Sequence, residues 1–97
     1  MLFKVNDGID SGDPRVRAAT DGLAALGGVI PELRGWLVGA NVNPRPVAYD
    51  FALIGDVDDL DALRRYLDHP EHQAVVARLR EVFTWVSVDV AVAADTP

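Results

Sequence analysis

The residues best suited to chemistry are gathered between Tyr66 and Gln73, in the order Tyr-Leu-Asp-His-Pro-Glu-His-Gln. This segment holds both histidines of the chain, a phenol and two carboxylates. A neutral imidazole can act as a general base near neutral pH, and a phenol can donate to a carbonyl oxygen or an oxyanion. These residue types are compatible with a proton-transfer site in which an imidazole is the base and the phenol is the donor. Asp89, further along the chain, is the carboxylate that could orient the imidazole.

The same segment also has a purely structural interpretation. His72 can cap a helix or pack, and Tyr66 can fill core with its hydroxyl bonded to backbone. His69, which precedes Pro70, can be a turn residue. Ionisable clusters are often structural, so the residues alone leave both interpretations open.

No pattern for a metal or cofactor accompanies these residues. The chain has no cysteine, which excludes disulfides and thiolate ligands. His69 and His72 lack the i, i+4 spacing of a helical zinc pair, and the acidic residues lack calcium-loop spacing. Neither a glycine-rich phosphate loop nor a G-x-S-x-G motif is present. We therefore expect no bound metal and no cofactor.

Composition limits the partners. The 97 residues carry a formal net charge of −6 with only nine Lys and Arg, which argues against nucleic acid and against anionic membranes. No apolar run approaches the roughly 18 residues that cross a bilayer, and the first residues do not resemble a signal peptide. A cytoplasmic protein is the expectation.

The elements that must position the chemical residues follow from the apolar spacing and the turn residues. Asp13-Pro14, Asp58-Asp59 and Pro70 mark helix starts, and Gly27-Gly28 marks a helix end. One domain is predicted over 1–92, followed by a flexible tail at 93–97. The order β-α-β-β-α-α-β predicts a ferredoxin-like α+β fold, with a four-stranded antiparallel sheet and helices on one face. The predicted strands are 2–5, 35–42, 49–57 and 83–91, and the predicted helices are 14–26, 60–68 and 71–82.

Alternation along the strands places apolar residues on both faces of the sheet. With the helices covering Tyr49, Phe51, Leu53 and Val57 in the third strand and Val86, Val88 and Val90 in the last, the open face still carries Ala52, Ile54 and Trp85. A monomer with a few exposed apolar residues is one possibility. A second copy packed sheet to sheet would bury this face, so the pattern favours a homodimer through the sheet.

The motif Tyr-Leu-x-His-Pro-x-His-Gln at 66–73 resembles the signature of the stress-responsive alpha-beta barrel (Dabb) family. The similarity extends to the first, third and last strands, at 2–4, 49–53 and 86–89, and so covers nearly the whole chain. It favours this family over the cofactor-free monooxygenases that share the fold. The resemblance implies a ferredoxin-like monomer and a dimeric α+β barrel. Members usually carry a histidine just before the first strand; here either the start codon is placed late or that histidine is missing.

The resemblance implies less about activity, since most members have no assigned reaction. In a plant member that closes a polyketide by aldol condensation, the residues matching Tyr66 and His72 do the chemistry. Three hypotheses remain. The first is a binding protein for a small apolar or aromatic molecule between helices and sheet. The second is a cofactor-independent cyclase or lyase, with His72 as the base and Tyr66 as the oxyanion stabiliser, and the third is a ligand-free structural or stress-related dimer. The predicted ligand-lining residues are Phe51, Leu53, His69 and Val88.

Overall fold

Four strands and three helices follow each other in the predicted order. The computed structural model describes residues 1–92, so the predicted tail at 93–97 lies outside the described residues. A short 3₁₀ turn at Leu26–Gly28 follows the first helix. The elements are β1 (Leu2–Val5), α1 (Pro14–Ala25), β2 (Gly35–Ala40), β3 (Phe51–Asp56), α2 (Leu60–Asp68), α3 (Pro70–Val82) and β4 (Phe83–Val86).

The strands form one antiparallel sheet in the order β2-β3-β1-β4. β1 therefore lies inside the sheet, between β3 and β4. This is the ferredoxin-like arrangement that the order of elements predicts. The helices cover one face, and the other face is open.

The helices α1 and α2 begin where the sequence predicts, because side chains cap their first turns. The Asp13 carboxylate accepts from the backbone N–H of Arg15, and Pro14 occupies the first helical position. The Asp59 carboxylate accepts from the N–H of Ala62 at 2.7 Å. These local contacts set where α1 and α2 begin.

The third strand is shorter than predicted: it begins at Phe51, not at Tyr49. The Asp50 carboxylate accepts from the N–H of Val5 at 2.8 Å, so a side chain takes the place of a backbone partner. β2 likewise ends at Ala40, before the proline-containing loop.

The last strand is also shorter than predicted and ends at Val86 instead of Ala91. Val86 pairs with Leu2, the first residue of β1, so the residues that follow have no adjacent strand to bond. Val88, Val90 and Val92 are all exposed there.

The prediction of which face Trp85 occupies was wrong. Trp85 is half-buried and its ring lies 5.7 Å from that of Phe3, on the helix-covered face, whereas Val86 is exposed on the other. Both residues are apolar, so alternation alone did not decide between the two faces. The helix-covered core includes Phe3, Val16, Leu23, Ile30, Leu53, Leu79 and Phe83.

The open face nevertheless carries an apolar surface, contributed by every strand. Its apolar residues lie in register across the sheet, since Leu2 pairs with Val86 and Leu37 pairs with Ile54. We call this set the open-face patch: Leu2, Leu37, Ile54 and Val86, each between 46% and 62% exposed. No helix within residues 1–92 has the length and hydropathy needed to span a bilayer.

Candidate functional site

The junction of α2 and α3 brings the predicted chemical residues together. His69 ends α2 and also caps α3, since its Nδ1 accepts from the N–H of Glu71 at 3.1 Å. Pro70 is the first residue of α3, which no loop separates from α2. Tyr66 is therefore in the last turn of α2, and His72 is in the first turn of α3.

The rings of Tyr66 and His72 are in direct contact. Their centroids are 4.4 Å apart with the planes tilted by 53°. Both residues are buried, Tyr66 being 6% and His72 7% exposed. The sequence-predicted base and donor are thus neighbours in an environment that excludes bulk water.

The hydroxyl of Tyr66 is the one buried side-chain polar atom within residues 1–92 that has no hydrogen-bond partner. Burial raises the pKa of this phenol to about 12, and the negative charge of Asp89 adds to the shift. The group is therefore a neutral hydrogen-bond donor at physiological pH. Buried hydroxyls without partners are uncommon in folded proteins, because the desolvation penalty is not recovered.

The protonation of His72 follows from its surroundings. Its Nδ1 lies 3.0 Å from the carbonyl oxygen of Leu67, which can only accept, so Nδ1 carries the hydrogen. The lone pair of the neutral ring is then on Nε2. Burial lowers the pKa of His72, an effect that the Leu67 carbonyl opposes and His69 reinforces. The imidazole is consequently neutral near pH 7, with its basic nitrogen free of the Leu67 contact.

Asp89 does not lie where a carboxylate that orients the His72 imidazole through Nδ1 would lie. The group at Nδ1 is the Leu67 carbonyl, which also accepts from the side-chain amide of Gln73 at 2.7 Å. Asp89 is exposed in the segment after β4 and acts on Tyr66 through its charge. The orientation of the imidazole is thus fixed by backbone, without a carboxylate at that nitrogen.

A third aromatic side chain, Trp36 of β2, lies against Tyr66. The ring centroids are 5.7 Å apart in an edge-to-face arrangement with an angle of 66°. Its indole N–H donates to the carbonyl oxygen of Leu23 in α1 at 2.9 Å. Trp36 is not among the residues that the sequence predicts at this site. Its place beside Tyr66 depends on how α2 packs on β2, which cannot be predicted from the sequence pattern of either element.

The predicted ligand-lining residues are spread over the molecule, and of the four only His69 lies at the α2–α3 junction. Phe51 packs edge-on against Phe83 at 5.5 Å. It lies four residues along β3 from Gly55, the partner of Trp36, a separation of about 13 Å at roughly 3.3 Å per residue. Leu53 is buried in the core, and Val88 is 77% exposed.

Two open cavities lie near Phe51. One, of about 310 Å³, is bounded by the β2–β3 loop and includes Arg45, Tyr49 and Leu2. The other, of about 290 Å³, lies beside the first turns of α1 and includes Val16. Neither is lined by Tyr66 or His72, whose burial makes their own site a closed one.

The described part of the chain contains no group of three or more His, Asp or Glu side chains placed to hold a metal ion. The groups at the closed site have chemistry of their own. A phenol donates, an imidazole nitrogen accepts, and aromatic rings provide the apolar wall.

Comparison with known proteins supports the fold and the family. A family model described as a stress responsive A/B barrel domain matches residues 1–92. An uncharacterised protein of Streptomyces coelicolor is 54% identical over 89 residues, covering 92% of each chain.

Two solved structures are also similar. A dimeric ferredoxin-like protein of unknown function from Thermobifida fusca matches with a TM-score of 0.71 and 34% identity, over 84% of this chain and 74% of that one. A dimeric protein of unknown function with a ferredoxin-like fold from Bacteroides fragilis gives a TM-score of 0.72 and 30% identity, over 87% and 82% of the two chains.

Proposed function

Because the chain belongs to the stress-responsive A/B barrel domain family, we propose that it is a homodimer that binds one small uncharged molecule per subunit at Tyr66 and His72. The observation that carries the proposal is the buried hydroxyl of Tyr66, which has no hydrogen-bond partner. An unmet buried donor costs about 1–3 kcal/mol. A ligand with an acceptor oxygen recovers that free energy on binding.

The surroundings of the hydroxyl specify the ligand further. Trp36 and the ring of His72 border Tyr66, so the ligand is apolar or aromatic apart from its acceptor oxygen. The charge of Asp89 acts at the phenol and repels a carboxylate. An aromatic ketone fits these conditions better than the corresponding acid. Since the site is closed in the free protein, entry requires α2 and α3 to separate.

NMR spectroscopy tests this selectivity with acetophenone and benzoate as matched probes. We expect acetophenone at millimolar concentration to shift the ring signals of Tyr66 and His72, and benzoate to leave them unchanged. Tyr66→Phe removes the donor while keeping the ring, and it should abolish the acetophenone response. Tyr49→Phe, a loss of the other tyrosine hydroxyl, is the control. Equal responses to both probes, or to neither, would contradict the proposed ligand class.

The homodimer is proposed to form through the open-face patch. An exposed apolar surface drawn from all four strands is typical of an interface, and the two similar proteins from Thermobifida fusca and Bacteroides fragilis are described as dimeric. The exposed valines after β4 extend the same apolar character beyond the sheet.

Sedimentation at micromolar concentration tests the interface. The native protein should sediment as a dimer of the 10.5 kDa chain, because a sheet-face interface of standard size persists at that concentration. Ile54→Asp should give monomers. Leu60→Asp on α2 is the control, since Leu60 is 65% exposed against 62% for Ile54. A monomeric native protein, or an unaffected Ile54→Asp variant, would exclude this interface.

A second candidate function is proton abstraction from a carbon acid, of the kind needed by a cyclase or lyase. It is favoured by the basic nitrogen of His72, since Nδ1 is committed to Leu67 and the ring is neutral. In this step Nε2 takes the proton of a C–H bond next to a carbonyl. The bonding pair becomes the enolate, whose oxygen accepts from the Tyr66 hydroxyl.

Exchange of the methyl protons of acetophenone for deuterium separates catalysis from binding. An enzyme of this kind accelerates the exchange, and His72→Ala abolishes the acceleration while the dimer survives. If acetophenone binds but its methyl protons do not exchange faster, the result supports binding without catalysis. A dimer that shows neither would favour the third hypothesis, a structural or stress-related role without a ligand.

A further inference from the structure

We infer that Trp36 is a positioning residue, which holds the Tyr66 ring so that its hydroxyl stays closed off from water and remains available to a ligand. The benefit to a ligand rests on the proposed function, whereas the positioning of the Tyr66 ring by Trp36 does not. Three features of the described residues support it: the anchoring of the indole, the space made for it, and its contact with the phenol ring.

The indole is anchored at its nitrogen. Its N–H donates to the Leu23 carbonyl at 2.9 Å, which connects β2 to the last turn of α1. Close packing already restricts the rotamers of a core side chain, and a directed hydrogen bond restricts them further. Here the hydrogen bond selects one orientation of the ring.

Two glycines make room for the indole. A Cβ added to Gly27 would lie 2.6 Å from Cδ1, and one added to Gly55 would lie 2.8 Å from Cε3. The five-membered ring is thus packed on Gly27 and the six-membered ring on Gly55, which is also the cross-strand partner of Trp36. Gly27 was predicted as a helix stop, and its lack of a side chain is equally required by this contact.

The clamped indole then faces the functional pair. Tyr66 contacts both Trp36, with the ring centroids 5.7 Å apart, and His72, with the ring centroids 4.4 Å apart. The ring is constrained by the sheet and by α3 together. Replacing the indole with a smaller side chain would open the sheet side while leaving the His72 contact intact.

The test is the rate at which the Tyr66 hydroxyl proton exchanges with solvent, read from the Cζ signal of ¹³C-labelled tyrosine in mixed H₂O and D₂O near neutral pH. Tyr49 gives the second signal and serves as an internal reference. In the native protein we expect slow exchange for Tyr66. Trp36→Leu should accelerate it by about tenfold or more, because local opening of the sheet side then exposes the hydroxyl. Trp36→Phe, which keeps a ring against Tyr66, should restore most of the protection.

Trp85→Leu is the matched control, since it removes a half-buried indole that packs against Phe3 instead of Tyr66. Gly55→Ala is a second variant that displaces the indole without removing it, and it should also accelerate exchange. Equal exchange in the native, Trp36→Leu and Gly55→Ala proteins would overturn the assignment, as would an equal acceleration by Trp85→Leu. The exchange experiment uses no ligand. Its failure would contradict the role of Trp36, whereas failure of the acetophenone experiment would contradict the proposed ligand class.

Discussion

Removing the hydroxyl of Tyr66 should stabilise the protein, which is the reverse of what most substitutions do. The group is buried without a hydrogen-bond partner, so the folded state bears a desolvation penalty of about 1–3 kcal/mol that nothing offsets. Tyr66→Phe keeps the contacts of the ring with Trp36 and His72. We therefore expect the free energy of unfolding to rise by about 1 kcal/mol, the lower end of that range.

A gain of this size raises Tm by about 4–8 °C for a domain of this length. Urea unfolding and calorimetry measure it, at one protein concentration for all variants because subunit association also affects Tm. Tyr66→Leu should instead lose several kcal/mol, about as much as other large-to-small core changes, since it removes the packed ring. Tyr49→Phe is the control for loss of a half-buried phenol hydroxyl outside the site.

The opposite result would refute the reasoning. If Tyr66→Phe lowers the free energy of unfolding by about 1 kcal/mol, the hydroxyl makes a net favourable hydrogen bond, for example to an ordered water. The unmet donor would then not be the basis of ligand binding. If the prediction is correct, Tyr66 is a residue at which stability has been given up for function.

Two further predictions concern stability. Burial lowers the pKa of His72 below its ordinary 6.5, so between that value and the lower folded pKa the unfolded chain binds more protons. The free energy of unfolding should therefore fall as pH decreases from about 6.5. Urea titrations at pH 7.5 and 5.5 measure this fall, and it should be smaller in His72→Gln. An equal fall in the variant would mean that other groups cause the pH dependence. Asp59→Ala removes the cap on the Ala62 N–H and should cost about 1 kcal/mol in the same assay, with the exposed Asp61→Ala as control.

The sequence was a good guide wherever a structural feature depends on neighbours along the chain. α1 and α2 begin at their capping aspartates, and Pro70 starts α3. The contact of Tyr66 with His72 is of the same kind, because only five residues lie between them, one of which is Pro70. The family and its ferredoxin-like fold were predicted correctly from this segment and from the order of the elements.

The errors arose where distant segments decide. β4 ends at Val86 because β1 supplies no partner beyond Leu2, and the face that Trp85 occupies depends on where the helices dock. Phe51 was expected near Tyr66, but the pairing of β3 with β2 places it at another part of the sheet. Trp36 was missed as a site residue for the same reason, since Gly55 is its partner only once the register is known.

The capping of two helices by one residue has a mechanical consequence. Tyr66 and His72 lie three residues to either side of His69, on different helices, and Pro70 fixes the φ angle that follows. The ψ angle of His69, 133°, lies in the extended range to which a following proline restricts it. A separation of α2 from α3 would therefore require the backbone angles of His69 to change, and it would also move the phenol away from the imidazole.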